Sequence, residues 1–236
     1  MKFGRQYSGP FQDKAEKAIV TVLAFDCSTQ CCSAAVWAEG RALAYRSAAM
    51  ARGQAEALMP MIVGVLADAG LGWDRIDLVG VTVGPGTFTG LRIGLATARG
   101  MAVASRLPVI GVTTTAAVAH AADPTQRQGR TIVACIDGKR SDVFVQAFDQ
   151  TLTPLGEPDA MMPDQVSRRF PGPLLLVGDA AARVAPFVDE TDLSTVSLPD
   201  SRIVAALAEQ GWVNGTGLPP QPLYVRPPDV TLPGRS

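Results

Sequence analysis

The distribution of apolar and polar residues along the chain predicts alternating strands and helices. The run 19–25 is continuously apolar and ends in Asp26, a pattern typical of a central strand. Two further strands, 32–37 and 41–46, are separated by a turn short enough to make them a hairpin. Apolar residues then recur at helical spacing over 53–69, which predicts a long helix that is apolar on more than one side.

The alternation continues beyond this helix. The pattern predicts strands at 77–83 and 109–112, a helix at 89–105 and an alanine-rich helix through Ala122. The resulting order is β-β-β-α-β-α-β-α. Together with the Asp-x-Ser-Thr sequence after the first strand, this order resembles one lobe of the actin, sugar-kinase and Hsp70 (ASKHA) superfamily.

The second half of the chain begins a shorter round of the same pattern. Strands are predicted at 131–137 and 142–148, and 150–169 are predicted to be a Pro-rich linker or a poorly ordered insertion. The remaining predicted elements are a strand at 174–179, helices at 180–188 and 203–210, and an extended segment at 219–228. We therefore expect a duplicated α/β fold with a mobile leader (1–18), an N-terminal lobe (19–125) and a reduced C-terminal lobe (126–236).

The most informative segment is 81–100, where a β-branched strand passes through Gly-Pro-Gly into a glycine-containing helix. Each of the three helical glycines costs about 1 kcal/mol relative to alanine, so we expect a packing reason for them. Small residues recur at 90, 94 and 98 and again at 96, 100 and 104, which gives the helix two smooth faces. One face can lie against the parent sheet, and the other is free to meet a second helix.

The turn before this helix also offers donors to an anion. Backbone and hydroxyl groups of Gly84, Gly86, Thr87 and Thr89 lie at a predicted helix N-terminus. The segment lacks the lysine of a P-loop and the spacing of a dinucleotide fingerprint, so the motif by itself is a weak indication of phosphate binding.

Composition narrows the functional class. Of the 236 residues, 47% are apolar, and the chain has 21 basic and 22 acidic side chains. The net charge therefore gives no indication of nucleic-acid binding. No apolar run is long enough to span a bilayer, which predicts a cytoplasmic protein without membrane contact. The four cysteines match no zinc-site spacing, and we expect them to be reduced and buried.

Five motifs resemble the bacterial TsaB (YeaZ) family over residues 20 to the end. They are Asp-Cys-Ser-Thr at 26–29, the segment from Arg52 to Ile62, Gly-Pro-Gly-Thr-Phe-Thr-Gly at 84–90 with its continuation to Gly94, Ile-Asp-Gly-Lys-Arg at 136–140, and Pro-Leu-Tyr-Val-Arg-Pro at 222–227. Position 27 is Cys where relatives usually have Thr, and position 54 is Gln where His is frequent.

The resemblance implies a role in tRNA modification. Members of this family are dimerisation subunits for TsaD, which attaches a threonylcarbamoyl group to the adenosine beside the anticodon in tRNAs that read codons starting with A. It implies pairing with TsaD, action with a TsaE-type ATPase, homodimerisation when the chain is alone, and contact with tRNA only through the complex. It implies no cofactor bound by the chain itself and leaves ATP at the complex interface open.

The two long helices are the predicted contact with TsaD, as a four-helix seam. The predicted interface residues are Leu58, Met61, Ile62, Val65, Gly90, Gly94, Leu95, Ala98 and Met101. Replacement of Gly94 or Ala98 by leucine is therefore expected to weaken pairing while the chain stays folded.

The sequence predicts that this chain is not the catalyst. TsaD relatives carry a His-x-x-x-His metal pair, and our alignment places Thr114 and Val118 at those positions, where neither side chain can bind iron or zinc. The only histidine, His120, lies beyond the pair and is expected to be an ordinary helix residue.

A nucleotide-dependent small-molecule kinase or ATPase of the same superfamily is the alternative. Its nucleotide or phosphate turns would use Asp26, Ser28 and Thr29 in the first lobe and Asp137 and Gly138 in the second. Carboxylates at strand ends are also common as turn formers, and the sequence leaves both interpretations open.

Overall fold

Two five-stranded sheets with helices on their faces form the structure, a computed structural model that describes residues 19–226. The first sheet has the order β3-β2-β1-β4-β5. Its strands are β1 (Val22–Asp26), β2 (Cys31–Ala38), β3 (Arg41–Ala49), β4 (Leu78–Gly84) and β5 (Val109–Thr113). β1, β4 and β5 are parallel to one another, and β2 and β3 are antiparallel additions at one edge.

The second sheet repeats this topology strand by strand, with the order β10-β9-β6-β7-β8. Its strands are β6 (Thr131–Asp137), β7 (Val143–Phe148), β8 (Asp159–Met161), β9 (Leu174–Val177) and β10 (Thr191–Leu193). The antiparallel pairs β6–β7 and β7–β8 and the parallel pairs β6–β9 and β9–β10 match those of the first sheet. The fold is therefore the duplicated ASKHA-like fold expected from the sequence.

The second lobe keeps all five strands, but its edge strands and above all its helices are shorter. The seven α-helices of the described residues are α1 (Gln54–Asp68), α2 (Phe88–Ser105), α3 (Thr114–His120), α4 (Pro124–Arg127), α5 (Val166–Arg169), α6 (Ala181–Val184) and α7 (Ser201–Asn214). Helices α1 and α2 have 15 and 18 residues, whereas their second-lobe counterparts α5 and α6 have 4 each.

The prediction of a linker or poorly ordered insertion at 150–169 is wrong. This segment contains β8, which pairs with β7 in the register Val143 to Met161, and α5 follows it. β8 and β10 have three residues each, too few for a period-two pattern to stand out, and prolines flank β8 at the sheet edge where they are tolerated. The predicted leader, 1–18, lies outside the described residues.

One helix of the second half of the chain packs on the first lobe. α7 follows the second sheet in sequence but packs on the first, where Val204 and Ala208 join the buried cluster of Val22 and Leu78. Gly80 permits this approach, since a Cβ there would lie 2.9 Å from the Cβ of Ala208. None of the helices in the described part of the chain has the length and hydrophobicity that crossing a membrane requires.

The last described segment, 218–226, ties the two lobes together. The Gly111 N–H donates to the Leu218 carbonyl at 2.7 Å, and the Leu223 N–H donates to the Val83 carbonyl at 2.7 Å, both in the first lobe. Arg226 then forms an ion pair with Asp142 in the second lobe. Residues 227 and 228 of the predicted extended segment lie outside the described residues.

Candidate functional site: a cleft between helix N-termini and the outer face of two helices

The Asp26 turn is closed to ligands. One carboxylate oxygen, Oδ1, accepts the Ser28 N–H at 3.0 Å, the Ser28 hydroxyl at 2.6 Å and the Thr82 hydroxyl at 2.6 Å. Asp26 and Ser28 are fully buried. Burial raises the pKa of the Asp26 carboxyl, against the lowering effect of these hydrogen bonds. The geometry corrects the assignment of Asp26 and Ser28 to a phosphate turn, because both side chains hold the β1–β2 connection.

The free energy of unfolding of the parent is expected to fall relative to that of Asp26→Asn as the pH rises from acid to alkaline. A carboxyl whose folded pKa lies above 3.8 favours folding in acid, and this contribution is lost as the pH rises through the folded pKa. The amide oxygen can still accept the same three donors. Urea midpoints from about pH 4 to about pH 9 test this. A parent midpoint that rises relative to the variant with increasing pH contradicts it.

The second predicted turn is occupied by ion pairs. The Asp137 carboxylate contacts the Lys139 ammonium at 2.7 Å and the Arg183 guanidinium at 3.1 Å. Partial burial acts to raise the pKa of Asp137, but the hydrogen bonds from Lys139 outweigh it and the pKa is lowered. A Cβ on Gly138 would lie 2.7 Å from the Arg226 guanidinium. Asp137 and Gly138 therefore serve a salt-bridged turn rather than an open phosphate turn.

An open cleft of about 540 Å³ lies where the N-termini of α1 and α2 meet. The lining residues come from the β1–β2 loop, both helix starts and the second lobe: Thr29, Gln30, Ala51, Arg52, Gly53, Gln54, Ala55, Glu56, Thr87, Thr89, Gly90, Ile93 and Lys139. No side chain caps the N-terminus of either helix. The backbone N–H groups of the first turns are therefore not occupied by a capping side chain. With Arg52 beside them these groups suit an anion, against the Glu56 carboxylate that also lines the cleft and with Lys139 already paired with Asp137.

The cleft contains one of the five residues predicted for the phosphate turns. Thr29 lines it, and the buried Thr29 hydroxyl has no hydrogen-bond partner among the described residues. Thr87 and Thr89, which the sequence indicated as donors at a helix N-terminus, also line it. The sequence did not indicate Gly53 as a residue of the site. Gly53 precedes α1 with a left-handed φ of 90°, a conformation that glycine adopts at little cost.

Gly86 and Gly90 hold α2 against the β1–β2 loop. A Cβ on Gly86 would lie 2.3 Å from the Ser28 carbonyl oxygen, and a Cβ on Gly90 would lie 1.9 Å from the Cys27 carbonyl oxygen. The Thr87 N–H donates to the same Ser28 carbonyl at 2.7 Å. Close helix–loop packing is thus the reason for Gly90, and it sets the shape of the cleft.

The predicted interface residues lie on the inner side of their helices. Those buried in the chain are Leu58, Ile62, Val65, Gly90, Gly94, Leu95, Ala98 and Met101, and Met61 is half-buried. This corrects the assignment, since a residue buried under its own sheet is not available to a partner. Ala98→Leu would overpack the first-lobe core instead of a seam, so it does not test pairing.

The outer side of α1 and α2 is exposed and partly apolar. Met59 and Val63 on α1 are 43% and 52% exposed, and Phe88 and Val103 on α2 are 56% and 83% exposed. The second smooth face of α2, at 96, 100 and 104, lies on this side and is exposed. We call Met59, Val63, Phe88, Ala96, Gly100 and Val103 the outer face.

The aligned positions of the TsaD metal pair are filled by packing residues. Thr114 and Val118 of α3 are both fully buried. His120, the last residue of α3, contacts the Ala116 carbonyl through Nδ1 at 2.9 Å, and burial lowers the pKa of its ring. Within residues 19–226 no three His, Cys, Asp or Glu side chains are grouped to hold a metal ion.

Comparison with known proteins places these features in a family. The model of the family described as TsaD, tRNA N6-adenosine threonylcarbamoyltransferase, matches residues 48–184, more than half of the chain. The tRNA threonylcarbamoyladenosine biosynthesis protein TsaB of Haemophilus influenzae is 29% identical over 235 residues, covering 92% of this chain and 98% of that protein. TsaB of Escherichia coli is 34% identical over 124 residues, 52% of each chain.

Solved structures agree with the sequence relatives. YeaZ from Pseudomonas aeruginosa has 26% sequence identity and a TM-score of 0.75, covering 87% of this chain and 99% of that one. A second Pseudomonas aeruginosa structure, described as similar to peptidase YEAZ, has 27% identity and a TM-score of 0.76. This chain belongs to the TsaB (YeaZ) family, within the group of proteins that the TsaD family model matches.

Proposed function

We propose that this chain is a non-catalytic subunit in the biosynthesis of threonylcarbamoyladenosine in tRNA. It pairs with TsaD and activates it to modify the adenosine next to the anticodon in tRNAs that read codons starting with A. The observation that carries the proposal is the outer face of α1 and α2, where two neighbouring helices expose apolar and small side chains. The relatives named TsaB support the pathway.

The outer face suits a helical partner. Ala96 and Gly100 lie one helical turn apart on α2, and small residues at this spacing let a second helix approach closely. Met59 and Val63 have the same spacing on α1 and supply apolar area. Since TsaD is a relative of this chain, the same face can pair with a second copy when TsaD is absent, as an isologous homodimer.

The cleft is the proposed place for a nucleotide phosphate at the complex interface. It opens at the N-termini of the same two helices whose outer face contacts TsaD, and Arg52 adds positive charge. In this proposal the chain binds no nucleotide alone, and ATP handled with a TsaE-type ATPase meets the cleft only in the complex. Contact with tRNA likewise comes through the complex.

The kinase or ATPase alternative finds little support in the geometry. Such an enzyme needs a carboxylate facing the nucleotide, but Asp26 is buried with three donors on one oxygen, and Asp137 is paired with Lys139 and Arg183. Thr114 and Val118 offer no metal ligand. The proposal therefore assigns catalysis to TsaD.

Reconstitution with purified proteins tests the proposal. We expect that the chain alone neither hydrolyses ATP nor modifies tRNA. Addition of TsaD, the TsaE-type ATPase and threonylcarbamoyl-adenylate is expected to restore modification, and omission of this chain from that mixture is expected to abolish it. ATP hydrolysis by the isolated chain would instead support the enzyme alternative.

A further inference from the structure

Two cysteine thiols face each other in the first-lobe core, directly beneath the cleft. Cys27 follows β1 and Cys32 belongs to β2, and their Sγ atoms are 3.6 Å apart. Both residues are buried in the same hydrophobic cluster.

The register of the sheet makes the two cysteines opposite neighbours. Asp26 pairs with Ser33 at the end of the antiparallel β1–β2 ladder, and Cys27 and Cys32 are the residues that follow on the two sides of the connection. Opposite residues in such ladders have Cα atoms about 4.5–5.5 Å apart, within the range of about 4.4–6.8 Å that a disulfide needs. A disulfide at this point therefore requires little movement of the backbone.

The other two cysteines are poorly placed to compete. Cys31 is adjacent to Cys32, but successive residues of a strand point to opposite faces, so its thiol lies on the other side of the first sheet. Burial raises the pKa of Cys31 to about 11. Cys135 lies in the core of the second lobe.

We propose that Cys27 and Cys32 are a redox-sensitive pair, which peroxide oxidises to an intramolecular disulfide and a dithiol reductant restores. In the first step the Cys32 sulfur attacks one peroxide oxygen, and the O–O bond breaks to give a sulfenic acid and one water. In the second step the Cys27 sulfur attacks the Cys32 sulfur, which forms the S–S bond and releases a second water. The two thiols lose two protons and two electrons, which the peroxide takes up.

The local environment assigns the roles in this reaction. The hydrogen bond between the two thiols lowers the pKa of Cys32 and raises that of Cys27, which favours Cys32 as the first sulfur to react. The loop between them lines the cleft through Thr29 and Gln30, whereas both thiols are buried, so peroxide must pass this loop to reach the pair. Ser28 of this loop accepts the Thr87 N–H, so the disulfide would fix the floor of the cleft.

Differential alkylation of the full-length chain tests this inference. The reduced chain is treated with hydrogen peroxide, denatured in an alkylating reagent and digested with trypsin without reductant. No lysine or arginine lies at 18–40, so Cys27, Cys31 and Cys32 stay in one peptide, 18–41. We expect this peptide to lose the mass of two hydrogens and to carry an alkyl group on Cys31 alone. Reduction with dithiothreitol before alkylation is expected to restore all three alkyl groups.

Two variants provide the matched controls. Cys31→Ser is expected to form the disulfide as the parent does, whereas Cys27→Thr, which replaces one thiol with a group of similar size, is expected to form none. Alkylation of both Cys27 and Cys32 after peroxide treatment of the parent would overturn the proposal. A disulfide that includes Cys31, or oxidation of Cys32 to a sulfinic acid in the parent, would also overturn it.

Discussion

Ala96→Arg is expected to weaken the binding of TsaD by about tenfold to one-hundred-fold while the chain stays folded. Ala96 lies in the middle of the exposed smooth face of α2, where a closely packed helix leaves no space for a long side chain. Overpacking costs about 1–3 kcal/mol, and about 1.4 kcal/mol corresponds to a factor of ten in Kd. In the free chain Ala96 is exposed and lines an open hollow beside Pro222 and Tyr224, which gives the arginine space.

Ala182→Arg is the matched control for this prediction. Ala182 is also an exposed helical alanine, but it belongs to α6 in the second lobe. The control is expected to bind TsaD with the Kd of the parent. Titration calorimetry of parent and both variants against TsaD measures the effect, with circular dichroism as the check on folding. Equal Kd values for the parent and Ala96→Arg would show that α2 does not form the contact.

Gly90→Ala is expected to lower the free energy of unfolding by about 2 kcal/mol or more, although alanine is the better helix former. The added Cβ would lie 1.9 Å from the Cys27 carbonyl oxygen, so the helix or the loop must move. For a chain of this size the loss corresponds to a decrease in Tm of about 4–8 °C.

Gly100→Ala provides the opposite expectation on the same helix. A Cβ on Gly100 meets no heavy atom within 4 Å, so only the propensity gain of about 0.5–1 kcal/mol remains. A Cβ on Gly94 would lie 3.5 Å from Val81, an ordinary contact, and Gly94→Ala should fall between the two. Thermal unfolding of the three variants measures the order. A Gly90→Ala chain as stable as Gly100→Ala would contradict the close packing of α2 on the β1–β2 loop.

Sequence periodicity predicted the elements of the first lobe well, because each is long enough to show its pattern. α1 was expected at 53–69 and spans Gln54–Asp68, and the strand predicted at 77–83 is β4, Leu78–Gly84. β8 and β10 were not predictable in this way, since three-residue edge strands are defined by their neighbours rather than by their own pattern.

The candidate site shows the limit of the same reasoning. Periodicity predicted two smooth faces on α2 and the need for one to be free, but it could not say which face turns inward. Packing against the β1–β2 loop decides this, because Gly90 must meet the Cys27 carbonyl. Likewise, a strand-end aspartate is compatible with a ligand site or a turn, and only the burial of Asp26 and its hydrogen bonds to Ser28 and Thr82 distinguish them.

The central claim is that this chain acts by binding TsaD rather than by chemistry of its own. The most direct measurement is the rate of threonylcarbamoyladenosine formation in the reconstituted system, as a function of the concentration of the parent or of Ala96→Arg. If the chain contributes binding alone, the variant needs a higher concentration, in proportion to its Kd, but reaches the maximal rate of the parent. A maximal rate that stays low at saturation, or modification of tRNA by the chain without TsaD, would contradict the account.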